Sequence, residues 1–338
     1  MKKKLAIIVV CVLVMGMVIG CSAKPAEETS AAPAAAPAES KGIDYPTKPI
    51  KVICSFAAGG GNDTGLRILA KDAESELGVP IVVENKTGGG GWVGWDYVSK
   101  ADPDGYTLAY IVSPNLITGY LNPTTQRAEN LDSFEYIINH VDDGMTVAVR
   151  ADDDRFNTIE DLVEYGKKTE IVAPSLGVAG TVHIAGLRMI SDLGTKMRFV
   201  QFGGASEALT ALLGGHVDIF LGKVTEVSGP KSEGQIKVLA ILMPERNQKI
   251  ADVPTIKEVF GVDMEVYSVR GLLAPKGTDP QIISKLSDAF EKAMNKPEHI
   301  QKMNDLGVSV NPIKGEAFKD KLRNEEKMLI DMKSLFGW

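Results

Sequence analysis

A chain of 338 residues, 44% hydrophobic and 24% charged, is long enough for about two domains, each with an ordinary apolar core. Its formal net charge of −7 comes with no block of lysine or arginine along the body of the chain, which argues against nucleic acid and anionic lipid surfaces as partners. Three cysteines supply no disulfide framework.

Lys2, Lys3 and Lys4 precede an apolar run from Leu5 to Ile19, which leads into Val18-Ile19-Gly20-Cys21. This is the pattern of a lipoprotein export signal, and the run is shorter than the ~20 residues a membrane span needs. Residues 1–20 are expected to be removed. Three lysines and no acids leave with them, so the charge goes from −7 to −10. Cys21 is the expected lipidation site, and Cys54 remains as a lone buried thiol. Residues 21–43, rich in Ala, Pro, Glu and Ser, read as a solvated tether.

From Tyr45 the chain alternates strand and helix, the signature of a mostly parallel α/β sheet covered on both faces. Ile50 to Phe56 is a β-branched run. Gly59-Gly60-Gly61 follows, then an amphipathic helix with Leu66, Leu69, Ala70, Ala73 and Leu77 on one side. A strand feeding a glycine turn and a helix start collects free backbone N–H groups and the positive end of a helix dipole. That is an anion site at the carboxyl end of a strand. Ile81 to Glu84 is a second strand, followed by the turn Gly88 to Gly91 and by Trp92 and Trp95. Thr107 to Val112 is a third, leading to Ser113-Pro114-Asn115.

Phe134 to Val141 and Met145 to Arg150 read as two strands broken by Asp142-Asp143-Gly144. These acids are either a solvated turn or partners for a ligand amino group. A helix starts at Thr158. Ile171 to Ala173 is a strand entering the loop Pro174 to Gly180, and a helix runs from Thr181 to Leu193. Met197 to Gln201 is a strand, and Phe202 to Ser206 opens a helix ending at Gly214. Val217 to Leu221 and Ile236 to Ile241 complete a second sheet. An extended stretch from about Val266 to Ala274 then precedes helices from Pro280, over Pro297 to Leu306 and over Lys314 to Phe336. The reading is one lobe of residues 44–147 plus 271–338 and another of 148–270. Two crossings between them imply a hinge and a cleft.

Catalytic signatures do not occur. The chain has no Gly-x-Ser-x-Gly elbow, no His-Glu-x-x-His and no Gly-Lys-Ser/Thr phosphate loop. The histidines at 140, 183, 216 and 299 lack metal-ligand spacing. No enzyme activity, metal or cofactor is expected.

The motifs carry a resemblance when taken in order. They are Tyr45-Pro46-x-Lys48-Pro49-Ile50, then Phe56-x-x-Gly59-Gly60-x-x-Asp63, then Val83-Glu84-Asn85-Lys86-x-Gly88-Gly89-x-Gly91. Pro103-Asp104-Gly105-Tyr106-Thr107-Leu108, Gly177 with His183, Leu212-Leu213-Gly214-Gly215-x-Val217-Asp218 and Gly271-Leu272-Leu273-Ala274-Pro275-x-Gly277 complete the set. Together they resemble the substrate-binding proteins of the tripartite tricarboxylate transporters, the Bug family. The resemblance implies a two-lobed Venus-flytrap fold outside the cytoplasmic membrane. It implies capture of a small carboxylate in the inter-lobe cleft and delivery to integral-membrane permease subunits. The expected protein is a monomer that meets the membrane only through its lipid anchor.

The resemblance places ligand contacts at Phe56, Ala57, Ala58, Gly60, Gly61, Asn62 and Asp63, at Ser113, Pro114 and Asn115, at Gly180, Thr181 and His183, and at Gly204, Ala205 and Ser206. Trp92 joins this set as a candidate flat apolar wall, although it equally suits core packing. Asp63 also suits a helix start, His183 a structural hydrogen bond, and Thr181 and Ser206 simple caps. Other readings of the whole chain are a carboxylate sensor signalling to a membrane kinase, and a secreted enzyme acting on a carboxylate.

Overall fold

Strand β1 (Ile50–Cys54) pairs in parallel with β2 (Ile81–Asn85) on one side and β3 (Thr107–Val112) on the other. Helices α1 (Gly61–Leu77), α2 (Trp92–Ser99) and α3 (Asn115–Leu121) follow these three strands in turn. Because the strands are parallel neighbours, the segments leaving β1 and β3 emerge at the same sheet edge. The computed structural model describes residues 43–338, so the signal, most of the tether and Cys21 lie outside the described residues.

The next strand departs from the sequence reading. In place of two strands broken by a turn, β4 (Phe134–Arg150) runs unbroken for 17 residues. After it come α4 (Ile159–Lys168), β5 (Ile171–Ser175), α5 (Thr181–Leu193), β6 (Met197–Gln201), α6 (Ala205–Leu213), β7 (Phe220–Lys223), α7 (Val224–Ser232), β8 (Ile236–Ile241) and α8 (Ile256–Phe260). The return segment is β9 (Tyr267–Pro275), followed by α9 (Pro280–Met294), α10 (Pro297–Asp305), β10 (Ser309–Val310), α11 (Gly315–Asp331) and α12 (Lys333–Phe336).

Asp142, Asp143 and Gly144 pair with Val269, Ser268 and Tyr267 of β9. The ladder satisfies backbone groups that a turn would leave to water. The two acids are buried but answered by cations, Asp142 by Lys321 at 2.7 Å and Asp143 by Arg270 at 2.5 Å. The solvated-turn reading of these residues is therefore corrected: they lie in the middle of a two-stranded ribbon that carries the chain between lobes. Beyond the crossing, β4 pairs with β7 and β8, while β5 and β6 form a separate parallel pair.

On one face of the first-lobe sheet, Val52, Leu108 and Leu272 meet α1 and α9. On the other, Ile53, Ile111 and Leu273 meet α2, α3 and α11 in a core that continues into the second lobe. Gly271 is needed where α11 crosses the ribbon: a Cβ there would stand 2.5 Å from the Phe318 ring and 2.7 Å from the Ile138 carbonyl. Cys54 is a buried free thiol. Two of the four histidines, far apart in sequence, meet in this lobe. His140 Nε2 lies 3.0 Å from His299 Nε2, with Tyr110 at the far side of one ring and Asp72 at the far side of the other.

Candidate functional site

The glycine turn after β1 is held from below by Asp63. Its carboxylate accepts from the Gly59 backbone N–H at 2.9 Å, from Arg67 Nε at 2.9 Å and from Asn85 Nδ2 at 2.8 Å. Burial pushes its pKa up, but these hydrogen bonds outweigh burial and hold the carboxyl below its usual value. Asn85 also donates to the Phe56 carbonyl at 2.9 Å. The turn is thus clamped from the protein side, and Gly59 takes φ of 77°, which a side chain would strain. Ala57, Ala58, Gly60 and Gly61 are exposed above the clamp, while Phe56 is partly buried against Trp95. Gly60, the N-cap of α1, offers no side chain to the first helical N–H groups. Asn62 keeps its carbonyl oxygen without a protein partner.

Trp92 does not reach this surface. It is 1% exposed, donates Nε1–H to the Leu116 carbonyl at 3.1 Å and meets Trp95 and Tyr120 edge-on. Its large apolar area and single donor are both satisfied in the core, so the ligand-wall reading is corrected to a packing role. Ser113, at the end of β3, is also buried. Its hydroxyl donates to Glu325 of α11 at 2.5 Å, and its N–H donates to the Val269 carbonyl at 2.9 Å. Pro114 is buried beside it, and Asn115, partly buried, begins α3.

In the second lobe the loop after β5 reaches α5 through Ala179, whose φ of 56° is unusual for a residue with a side chain. His183 explains part of this loop's shape: its Nδ1 accepts from the Ala179 N–H at 3.2 Å. Burial pushes its imidazole pKa down, so the ring is a neutral acceptor here. Thr181, buried, shares a hydrogen bond with Ser268 of β9 at 3.4 Å. Gly180 and Gly204 are N-caps without side chains at the starts of α5 and α6. Ala205 is partly buried and Ser206 exposed on the first turn of α6. By contrast, Thr158, Thr255 and Asp279 close the starts of α4, α8 and α9 with side-chain caps.

The loop tips after β3 and β5 meet at one short piece of β9. Ser113 of the first lobe bonds residue 269, and Thr181 of the second bonds residue 268. Pro114 and Thr181 also line a common cavity of about 520 Å³ between α5 and α11. Below the junction, Arg270 and Asp143 each keep one buried polar atom without a protein partner, Nε and Oδ1. The arrangement can present backbone N–H groups from both lobes to an anion and close around it by rotation of the ribbon.

A family model described as the tripartite tricarboxylate transporter family receptor matches residues 66–330. The chain belongs to that family. It is 33% identical over 270 residues to a UPF0065 protein encoded in the gbd 5′ region of Cupriavidus necator, covering 79% of this chain and 80% of that one. It is similar to a TctC solute-binding protein from Polaromonas, solved without ligand: 29% identical, 84% of this chain and 97% of that one, with a TM-score of 0.76. The periplasmic binding protein BugD is 30% identical over 87% of this chain and 99% of its own, with a TM-score of 0.70. The receptor fold is thus the two-lobed periplasmic-binding-protein fold, and the two solved relatives are binding proteins by description.

Three residues that shape the candidate site escaped the sequence reading. Arg67 lies four residues after Asp63, and that helical spacing was a legible signal. Arg270 and Glu325 had none, because their partners Asp143 and Ser113 are 127 and 212 residues away.

Proposed function

We propose that this receptor is an extracytoplasmic lipoprotein that captures a small carboxylate between its lobes and delivers it to a membrane permease. The observation that carries this reading is the set of glycine-capped helix starts, α1 in one lobe and α5 and α6 in the other. None carries a side-chain cap. Backbone N–H groups at such ends favour an anion through both hydrogen bonds and the helix dipole. The missing phosphate-loop lysine turns the preference from phosphate toward carboxylate. MatC of Rhodopseudomonas palustris, solved with bound malate, is 27% identical over 79% of this chain with a TM-score of 0.64, which supports the same ligand class. The Phe56 to Asn62 loop would approach the ligand from one lobe and the Gly177 to Thr181 and Gly203 to Ser206 loops from the other, with Asp63 and His183 shaping the loops rather than touching the anion.

Closure of the second lobe over the ligand gives the permease a surface that differs from the empty form. A few charge-assisted hydrogen bonds in a closed cleft suffice for micromolar binding, about 8 kcal/mol. The lipid on Cys21 would keep the receptor at the membrane, and no helix among the described residues is long and apolar enough to cross one. The test is a thermal-shift panel of mono-, di- and tricarboxylates against inorganic phosphate and simple amines, with small-angle scattering on each hit. A carboxylate should raise the melting temperature and reduce the radius of gyration. Stabilisation by phosphate alone, or by no carboxylate at millimolar concentration, would overturn the reading.

A further inference from the structure

The cavity between α5 and α11 touches both lobes' loop tips, through Pro114 and Thr181, and extends away from them along an apolar wall that includes Ile184, Val266, Val269 and Met328. Its charges do not balance. Both cations in its lining are already paired: Arg188 holds Asp192 at 2.5 Å, and Lys321 holds Asp142 at 2.7 Å. Three of its acids, Glu265, Asp320 and Glu325, form no ion pair among the described residues, and Asp263 is paired with Lys257. A ligand body entering this space meets uncompensated negative charge on a greasy background.

Glu325 stands closest to the loop tips. One of its oxygens accepts from Ser113 at 2.5 Å, and the other has no protein partner and belongs to the cavity lining. Burial pushes its carboxyl up to about 7, against the Ser113 hydrogen bond and the more distant charge of Lys321, which is itself paired with Asp142. The acids of the crossover ribbon cannot play this part. Asp142 accepts from Lys321, Asn311 and Asn139, and Asp143 is fully buried on Arg270 and Thr225.

We propose that the ligand is a carboxylate that also carries a basic nitrogen and an apolar body. Its carboxylate sits at the start of α5 beside Thr181, its ammonium on the open oxygen of Glu325, and its body along Ile184, Val266 and Met328. The proposal rests on the carboxylate reading above and narrows it. An ammonium supplies the direct ion pair that Glu325 lacks, and a charge-assisted hydrogen bond in a partly desolvated site discriminates by roughly ten-fold or more. A plain apolar carboxylate forgoes that contact and brings a second negative charge toward three unpaired acids.

The test is isothermal titration of the purified protein at pH 8 with two matched pairs, phenylalanine against 3-phenylpropanoate and leucine against 4-methylpentanoate. Phenethylamine and malate serve as single-group controls. In at least one pair the amino compound should bind at least ten-fold more tightly, and Glu325→Gln, which keeps an acceptor for Ser113, should bring that ratio close to one. No preference in either pair overturns the proposal even if the variant fails to fold, since the wild-type comparison stands alone. A preference that survives Glu325→Gln overturns it as well. Malate binding without any amino preference removes the proposal and leaves the carboxylate reading intact. Binding of phenethylamine alone, or of no carboxylate, removes both.

Discussion

Glu325 combines a structural cost with a place in the lining of the cavity between α5 and α11. An ordinary glutamate titrates near 4.5, while burial pushes this one up to about 7. Between those values the folded chain keeps a proton that the unfolded chain has released, so stability is highest below pH 4.5 and falls as pH rises to 7. Taken alone the shift is worth on the order of 3 kcal/mol. Denaturant unfolding of the ligand-free protein at several pH values should show that slope, and Glu325→Gln should flatten it. Identical slopes in both proteins would mean that Glu325 is not the group responsible. Asp63 behaves in the opposite sense. Its depressed pKa contributes stability above its unfolded value that is lost as acid protonates it, which fits a clamp for the first glycine turn. Residue type alone left Asp63, Trp92 and His183 with two roles each. Burial and partners separated them: Trp92 in the core, Asp63 beneath the turn, His183 on its own loop.

Among the elements, those defined by local signals were legible. The helix predicted over Thr181 to Leu193 and the strands over Thr107 to Val112 and Met197 to Gln201 have those bounds in the structure. Glycine punctuation and hydrophobic period act within a dozen residues, so the chain reports them directly. Strand β4 was not legible, because Asp-Asp-Gly is a turn signal unless a partner strand and two distant cations are already in place. Helix α11 owes its seat to the same ribbon. Gly271→Ala would press a methyl group into Phe318 and the Ile138 carbonyl, and should destabilise the protein by about 2 kcal/mol. Hydrogen exchange should quicken in α11 and at the Ser113 turn that it holds through Glu325. An unchanged melting temperature would show that α11 shifts freely on the ribbon.

At the scale of the molecule, the receptor consists of two α/β lobes on a shared ribbon, with α11 and α12 lying along the junction. The two-lobed α/β fold was readable from the strand–helix alternation and the order of motifs. The eight-stranded sheet that β4 carries through both lobes was not. The proposed anchor belongs to this scale too, because it would set where the cleft operates. Cys21→Ser should move the protein from the membrane fraction to the soluble fraction of fractionated cells. Retention in the membrane fraction would remove the lipid anchor from the reading.

The chain by itself determined the class of fold, the family and the positions of the glycine turns. These rest on short-range patterns of hydrophobicity, glycine and motif order. Only the tertiary structure decided which polar residues are spent on the protein itself. A carboxylate's role depends on the groups that surround it in space, and here those groups come from strands and helices more than a hundred residues away. That is why Asp142 and Asp143 close on Lys321 and Arg270, while Glu325, silent in the sequence, bonds Ser113 and lines the cavity between α5 and α11.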